Sequence, residues 1–399
     1  MSDPVFGRYS PDLFVFRREE IEFVWEAADS LTTGQPTKKA IRFTGPKGSG
    51  KSWLLCEIAR RLREEFSNIV LRHLILGEDR PCEEPFYLPS SQIRSRPDSW
   101  NAFTWDILAY LAEPLELPLP APIDEASRRL AEQYARSGKP LVLLVDGVDE
   151  LPLEFALNYL ERYVLAPLLG QANALVVLGG RLPKSTETWN SLPLRGAEEK
   201  PLSPFGPHEA EEQFRRRKVS PPISASGIVQ RGGGYPLANL LLAEELGAGK
   251  LWGEALRAVA DLYLQDVPPP IRPDFQTLCV LAGFKVEEMM ELLGKPALDC
   301  RRRLNELVAT RLVRWEGQGR DIEMMPGEKL RVEYEYVMDE AVRRVLEEDL
   351  SENEQSRWES LHGAASALYE QWAKAYPGNA RWQERRDYHA RRCGSQPAP

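Results

Sequence analysis

The sequence lacks the features that would place it in a membrane or in a disulfide-rich secreted class. Its unbroken apolar runs, such as Leu141–Val145, are far shorter than the roughly 20 residues that span a bilayer. The N-terminus, beginning Met1-Ser2-Asp3, shows no basic-then-apolar signal pattern. The five cysteines are scattered and none forms a CxxC pair. We therefore expect a cytoplasmic protein with free thiols, no zinc site and no membrane segment.

Positive charge is also in deficit. The chain has 51 Lys and Arg against 60 Asp and Glu, which gives a net charge of −9. Such a chain provides a poor overall field for gripping a phosphate backbone, so nucleic acid is not the expected partner. Hydrophobic content is 43% and charged content 28%, which is ordinary for a folded protein. A length of 399 residues predicts two to four domains.

Apolar periodicity in the first half of the chain alternates between helix and strand. The pattern predicts helices over 18–31, 99–113, 124–137 and 153–166, and strands over Lys38–Thr44, Ile69–Leu74, Leu141–Val145 and 174–178. The continuous apolar run of the third strand is typical of a strand buried on both faces. This alternation predicts an α/β fold with a doubly wound parallel sheet.

The second half of the chain is predominantly helical. Helices near 274–282, 286–293 and 297–309 precede two short strands, Leu312–Trp315 and Arg331–Val337, and this order predicts a winged helix. Ser351 and Glu354 form a capping-box pattern that predicts a new amphipathic helix. The predicted organisation is an N-terminal segment 1–30, a parallel-sheet domain 31–200, a helical subdomain 201–255, a winged helix 256–350 and C-terminal helices 351–399.

A phosphate-binding loop follows the first predicted strand. The run Gly45-Pro46-Lys47-Gly48-Ser49-Gly50-Lys51-Ser52 matches GxxxxGK[ST] and opens a helix. Its glycines let backbone N–H groups wrap phosphates, and the helix N-terminus adds positive potential. Lys51 is expected to bridge the terminal phosphates and Ser52 to ligate Mg²⁺. The motif predicts an ATP- and ADP-binding protein.

Carboxylates follow the most apolar strand, in the run Asp146-Gly147-Val148-Asp149-Glu150. A carboxylate at the C-terminal end of a buried parallel strand points into the crevice where such sheets bind ligands. Asp146 is expected to hold Mg²⁺ through water, because Mg²⁺ keeps most of its hydration shell. Either Asp149 or Glu150 is expected to orient the attacking water.

Together these motifs resemble those of the STAND NTPases, the class that includes the NACHT and NB-ARC switches. The resemblance extends over roughly residues 12–350 and implies further site residues. Arg18 lies in a run similar to the N-terminal GRExE element, from which the chain departs at Arg17, in place of glycine, and at Ile21. Arg181 resembles the strand-end arginine that senses the terminal phosphate, and Pro236 resembles the proline that packs on adenine.

One departure from the resemblance concerns nucleotide release. In many of these switches a Met-His-Asp triplet follows the winged helix, and its histidine contacts the β-phosphate of ADP. Here Met338 is followed by Asp339 in the histidine position. An ionised carboxylate only accepts hydrogen bonds and repels phosphate. The residue is interpreted as a helix N-cap, with a cation-bridged nucleotide contact as the alternative.

The resemblance implies a slowly hydrolysing ATPase that acts as a signalling switch, forms a homo-oligomer and controls a separate effector or sensor chain in a bacterial defence or regulatory system. Two alternatives remain open. One is a DNA-binding winged-helix AAA+ ATPase of the origin-recognition kind, or a transcription regulator. The other is a scaffold that binds ATP without hydrolysing it.

Overall fold

The computed structural model describes residues 8–34, 38–78, 80–120, 122–171, 173–180, 189–265, 267–310, 312–325 and 327–394. The chain divides into two compact units. The first comprises residues 1–45 and 50–203, and the second comprises residues 46–49 and 204–399. The division after residue 203 lies beside the boundary predicted after residue 200.

The first unit is built on a six-stranded sheet in the order β3-β2-β4-β5-β1-β6. All its strand pairs are parallel. The strands are β1 (Ala40–Thr44), β2 (Val70–Ile75), β3 (Phe86–Tyr87), β4 (Leu141–Asp146), β5 (Ala174–Gly179) and β6 (Glu198–Pro201). The four predicted strands are confirmed, whereas the short edge strands β3 and β6 carry no apolar run from which they could be predicted.

The two faces of the sheet bury different side chains. In β4, Leu141, Leu143 and Val145 pack into one core cluster, and Val142 and Leu144 pack into the other. This alternation follows from the two-residue period of a strand. Because both faces are covered, every residue of β4 and β5 is buried, as the apolar run predicts.

Helices cover both faces of this sheet. They are α1 (Arg18–Thr32), α2 (Lys51–Glu65), α3 (Ser90–Ser95), α4 (Trp100–Ala112), α5 (Ile123–Ser137), α6 (Leu153–Phe155), α7 (Ala166–Gln171) and α8 (Leu192–Arg195). A stretch of π-helix, Ala156–Leu165, joins α6 to α7, so the helix predicted over 153–166 is longer than expected and not regular.

The second unit is mostly helical. Its helices are α9 (Pro207–Arg217), α10 (Ala225–Gly232), α11 (Pro236–Gly247), α12 (Trp252–Leu264), α13 (Arg272–Leu278), α14 (Val286–Leu293), α15 (Ala297–Ala309), α16 (Glu340–Asn353), α17 (Gln355–Ala375) and α18 (Ala380–Arg392). Its strands are β7 (Val313–Glu316), β8 (Arg320–Met325), β9 (Glu328–Val332) and β10 (Glu335–Met338). β7 pairs with β10 and β8 pairs with β9, both antiparallel.

Two sequence predictions in this unit are wrong in detail. The single strand predicted over Arg331–Val337 is divided, because Tyr334 adopts a left-handed φ of 54° between β9 and β10. The capping box predicted at Ser351 does not form. Ser351 lies inside α16, where its hydroxyl donates to the carbonyl of Glu348, and the next helix begins at Gln355. A serine hydroxyl can bond to the preceding turn as readily as it can cap, so the pattern was ambiguous.

The prediction of free thiols is wrong for two of the five cysteines. Cys56 and Cys82 are joined by a disulfide, whereas Cys279, Cys300 and Cys393 are not disulfide-bonded. The fold brings the pair together across 26 residues, and no local spacing pattern indicates this. Among the described residues, no helix is both long enough and apolar enough to cross a membrane.

The predicted fold class is confirmed. A P-loop α/β sheet with surrounding helices is followed by a helical C-terminal region. The assignment of 256–350 as a winged helix stays a prediction.

Candidate functional site

The loop between β1 and α2 has the backbone conformation that phosphate binding requires. Gly48 and Gly50 have φ values of 82° and 94°, in the left-handed region that favours glycine. Gly50 directly precedes α2, so the first free N–H groups of that helix face the loop. The ammonium group of Lys51 donates to the carbonyl oxygen of Gly45 at 2.8 Å. The lysine is therefore folded back over the loop in which it is predicted to meet phosphate.

The two residues predicted to hold the metal lie together. Asp146 ends β4 with 4% of its surface exposed, and its carboxylate accepts hydrogen bonds from the Ser52 hydroxyl and from the backbone N–H of Gly147, the latter at 3.0 Å. Burial raises the pKa of Asp146, although the charge of His73, the hydrogen bond from Ser52 and the charge of Lys51 oppose the shift. A hydroxyl and a carboxylate side by side are the oxygen donors that Mg²⁺ uses beside nucleotide phosphates. The residues present therefore fit this ion.

The acidic residues that follow β4 point to different places. Gly147 turns the chain at a φ of 75°, and a single 3₁₀ turn, Val148–Glu150, follows. A Cβ atom added to Gly180 would lie 2.8 Å from Oδ1 of Asp149, which places this carboxylate against the end of β5. Glu150 instead accepts hydrogen bonds from the backbone N–H of Glu78 at 2.8 Å and from the Ser90 hydroxyl at 3.2 Å. The structure therefore places Asp149 and Glu150 in different surroundings, whereas the sequence left either of them as the residue that orients the attacking water.

Glycines make room for these carboxylates. A Cβ atom at Gly179 would lie 3.1 Å from Oδ1 of Asp146, and one at Gly147 would lie 2.4 Å from the backbone nitrogen of Gly77. Any larger residue at these places would crowd the site. Sequence reasoning missed this spacing role, although the Gly179-Gly180 pair at the end of a buried strand is a signal that could have indicated it.

Arg181, predicted to sense the terminal phosphate, lies outside the described residues. The residue before it is described: the backbone N–H of Gly180 donates to the carbonyl of Phe43 at 3.2 Å. β5 also lies between β1 and β4 in the sheet. The end of β5 is thus beside both the strand that enters the loop and the strand that carries Asp146. The role of Arg181 stays a prediction.

In the N-terminal element, the buried and hydrogen-bonded arginine is Arg17 and not the predicted site residue Arg18. Arg18, the first residue of α1, is exposed. Arg17 is 8% exposed and donates to the carbonyl of Ser203 at 2.8 Å. Its φ is 63°, the left-handed conformation in which the resembling element carries glycine. The departure at Arg17 therefore keeps the backbone turn and adds a buried guanidinium.

The comparisons with known proteins agree with this domain. Residues 35–180 match the sequence model of the AAA domain. The first unit contains a P-loop NTPase domain of the AAA+ type. No curated protein matches the chain.

Solved structures with a similar arrangement have low sequence identity to this chain. A Signal Transduction ATPase with Numerous Domains (STAND) protein with a tetratricopeptide repeat sensor, from Pyrococcus horikoshii, is 15% identical with a TM-score of 0.34. The match covers 98% of this chain and 50% of that one, so this chain spans half the length of that protein. The ADP form of the Aeropyrum pernix ORC2 protein is 12% identical with a TM-score of 0.48, covering 88% and 98%. The Aeropyrum pernix ORC1 protein in complex with DNA is 16% identical with a TM-score of 0.40, covering 86% and 94%.

The tip of the loop between β1 and α2, Pro46–Ser49, groups with the second unit. There the carbonyl of Gly48 accepts a hydrogen bond at 3.2 Å from the backbone N–H of Leu237, the residue after Pro236. Pro236 is the first residue of α11 and is half-buried. Lys47 donates to the side-chain oxygen of Gln265 at 3.0 Å. The structure thus brings the predicted adenine-side residue close to the tip of the loop.

Asp339 acts as a helix cap, as interpreted from the sequence. Its Oδ1 accepts from the backbone N–H of Val342 at 3.1 Å at the start of α16, and its Oδ2 lies 3.2 Å from the hydroxyl of Tyr235. Burial raises the pKa of Asp339, against the lowering effect of these hydrogen bonds and of Arg314. Tyr235 directly precedes Pro236, so a single hydrogen bond joins the start of α11 to the start of α16.

Proposed function

We propose that this protein is an ATP-dependent switch that binds Mg²⁺ and ATP, hydrolyses ATP slowly and passes the state of the nucleotide to a partner chain. The observation that carries the proposal is the hydrogen bond between Ser52 and the buried Asp146, beside Lys51 at the entrance to α2. These three groups provide two metal ligands and one cation for the terminal phosphates. Bound Mg²⁺ would neutralise charge that develops on the phosphate oxygens during hydrolysis.

The chain's own groups have separable parts in this reaction. The backbone N–H groups of the loop bind the phosphates, and Lys51 leaves the carbonyl of Gly45 to contact them. Asp149, at the end of β5, is the proposed group that orients the attacking water. Glu150 is a positioning residue, because its carboxylate holds the segment that contains Glu78. Arg181 is the proposed phosphate sensor.

The contact between Tyr235 and Asp339 supports the switch over a constitutive hydrolase. Tyr235 lies one residue before the helix whose N–H donates to the tip of the phosphate loop, and its hydroxyl contacts the N-cap of α16. A change at the loop tip therefore has a short route to the start of α16, through the hydrogen bond from Leu237 to Gly48 and the hydrogen bond from Tyr235 to Asp339. We propose that the ATP and ADP states differ in this contact, which biases a two-state element of the second unit.

The DNA-binding alternative requires cationic side chains that are free to meet phosphate. In α15, the helix that would enter a groove, Arg303 pairs with Asp274 at 3.2 Å and with Glu306 at 2.6 Å. Arg302 lies 3.6 Å from Asp299. Each pairing reduces the counterion release on which DNA affinity depends. This charge arrangement favours the switch.

A test separates the candidates with the full chain. Light scattering in the presence of Mg²⁺ and a non-hydrolysable ATP analogue should show a larger assembly than in the presence of ADP. A 30-base-pair duplex, added at increasing salt, should show no specific binding. Identical particle mass with both nucleotides would contradict the switch. Salt-sensitive, sequence-specific duplex binding would establish the DNA-binding alternative, and ATP binding without any turnover would establish the scaffold.

A further inference from the structure

Two cysteines and a buried histidine meet beside α2, next to the proposed nucleotide site. Cys56 lies on α2 and Cys82 lies in the segment after β2, and the disulfide joins Cα atoms 6.4 Å apart. His73, on β2, is fully buried. One ring nitrogen of His73 and the two sulfur atoms all lie within 4.8 Å of one another. The cysteines therefore share their surroundings with a group that can accept a proton.

The imidazole of His73 lies against the carboxylate of Glu84. The Oε1 atom of Glu84 lies 3.6 Å from Nδ1 of His73, and the charge of His73 also lowers the pKa of Asp146. Burial raises the pKa of Glu84, but His73 and Arg63 outweigh burial and hold this pKa at about 2. Glu84 is thus a carboxylate placed to stabilise a protonated His73.

We propose that Cys56 and Cys82 form a reversible thiol–disulfide site that exchanges with low-molecular-weight disulfides, and that His73 accepts the proton of Cys56 during closure. The exposures of the two cysteines give the order of the steps. Cys82 is half-buried and can meet a small oxidant, whereas Cys56 is 3% exposed and cannot. Cys82 is therefore the attacking residue and Cys56 the resolving residue.

The exchange is balanced in two steps. Cys82 loses its proton to water, its thiolate attacks one sulfur of the small disulfide, and that S–S bond breaks to release one small thiolate. Cys56 then transfers its proton to His73, and its thiolate attacks the Sγ atom of Cys82 and displaces the second small thiolate. The protein loses two electrons, and the oxidant is reduced to two thiols. Glu84 faces the imidazolium that forms, and the reverse reaction restores both thiols.

The bond connects two parts of the nucleotide site. Cys56 belongs to the helix that begins at Lys51, and Cys82 belongs to the segment in which the backbone N–H of Glu78 binds Glu150. The oxidised pair ties this segment to α2, and the reduced pair leaves it held by non-covalent contacts. Reduction should therefore raise amide hydrogen exchange between residues 76 and 88, a readout that does not depend on nucleotide.

In the test, the fully reduced chain is incubated in buffers of reduced and oxidised glutathione. The reaction is quenched with acid, the remaining thiols are alkylated under denaturing conditions, and the mass of the intact protein is measured. Wild type should pass from five alkylated thiols to three without a lasting glutathione adduct, with the loss at Cys56 and Cys82. Cys56→Ser should stop with one glutathione on Cys82. Cys393→Ser is the matched control and should still close the same pair. His73→Gln should reach the same end point about tenfold or more slowly near neutral pH, with a flatter pH dependence.

Three results would overturn the proposal. One is a glutathione adduct that persists on wild type, and another is pairing that involves Cys279, Cys300 or Cys393. The third is one equivalent of Zn²⁺ bound by the reduced chain that protects Cys56 and Cys82 from alkylation, because the cluster would then be a metal site. If Cys56→Ser does not fold, Cys82→Ser supplies the test and should show neither adduct nor disulfide. None of these readouts requires ATP binding, so the proposal and the switch can fail separately.

Discussion

Asp146 is the last residue of β4, and Asp339 directly follows β10. Both have a raised pKa, yet their surroundings differ. Asp146 faces a hydroxyl and a lysine at the phosphate loop. Asp339 faces a tyrosine hydroxyl and the first turn of a helix. The first carboxylate lies beside the hydroxyl and the lysine predicted to meet metal and phosphate. The second uses both carboxylate oxygens within the protein. The same residue type is thus a proposed metal ligand in one unit and a structural link in the other.

The largest effect is expected on ATP affinity when Lys51, which lies beside Asp146, is replaced. Lys51→Ala removes the cation from the terminal phosphates and should weaken ATP by about a hundredfold or more, since charge-assisted bonds contribute about 1.5–3 kcal/mol each. Lys47→Ala is the matched control, because it removes the same charge from the same loop but only a bond to Gln265. Equal ATP affinities of Lys51→Ala and Lys47→Ala in isothermal titration would contradict the assignment of Lys51 to the terminal phosphates.

The next effect concerns turnover and compares Asp149 with Glu150. Asp149→Asn should lower steady-state phosphate release by about a hundredfold while sparing ATP affinity, because an amide orients water poorly. Glu150→Gln keeps an oxygen acceptor for the N–H of Glu78 and should cost less. A larger loss in Glu150→Gln than in Asp149→Asn would reverse the roles assigned to the two residues.

Arg181 should separate ATP from ADP. A contact made only to the terminal phosphate predicts that Arg181→Ala weakens ATP more than ADP, by a factor of about 10 to 150. Parallel titrations with both nucleotides measure the ratio. Arg195→Ala is the control, since Arg195 donates to the carbonyl of Trp189 and not to a predicted phosphate position. Equal losses for ATP and ADP would show that Arg181 has no sensing role.

A smaller effect is expected on the structural side. Tyr235→Phe removes the hydroxyl that contacts Asp339 and should lower the free energy of unfolding by about 1–3 kcal/mol. Tyr263→Phe is the matched control, because that buried hydroxyl has no hydrogen-bond partner among the described residues and its removal should leave stability unchanged or higher. Urea denaturation measures both. Equal destabilisation would mean that ring packing, and not the hydrogen bond, stabilises this region.

The substitution Asp339→His tests whether a residue at this position can contact a bound nucleotide. Asp339→His restores a donor in the place where the resembling switches contact the β-phosphate, so ADP affinity should rise if the start of α16 responds to nucleotide. Asp339→Asn, which keeps a cap without the charge, is the control. An unchanged ratio of ADP to ATP affinity in both variants would limit Asp339 to capping.

How much of this could be predicted from the sequence depended on whether the chemistry is local. Contiguous sequence patterns predict the phosphate loop, Asp146 and the parallel sheet, because neighbouring residues determine strand burial and the positions of the glycines. The roles of Arg17, Tyr235 and His73 depend on residues far away in the chain, such as Ser203 and Asp339. The disulfide between Cys56 and Cys82 was missed for the same reason. Choosing between Asp149 and Glu150 required the direction of side chains within one 3₁₀ turn, which periodicity cannot give.

The central claim is that Ser52 and Asp146 hold Mg²⁺ on a nucleotide bound by the loop. Calorimetric titration of ATP with and without Mg²⁺, in wild type and in Asp146→Asn, tests it most directly. We expect Mg²⁺ to tighten ATP binding in wild type and to have little effect in Asp146→Asn. Because the pKa of Asp146 is raised, the wild-type effect of Mg²⁺ should also fade, as pH falls, at a higher pH than an ordinary aspartate would allow. An equal effect of Mg²⁺ on both proteins would contradict the account.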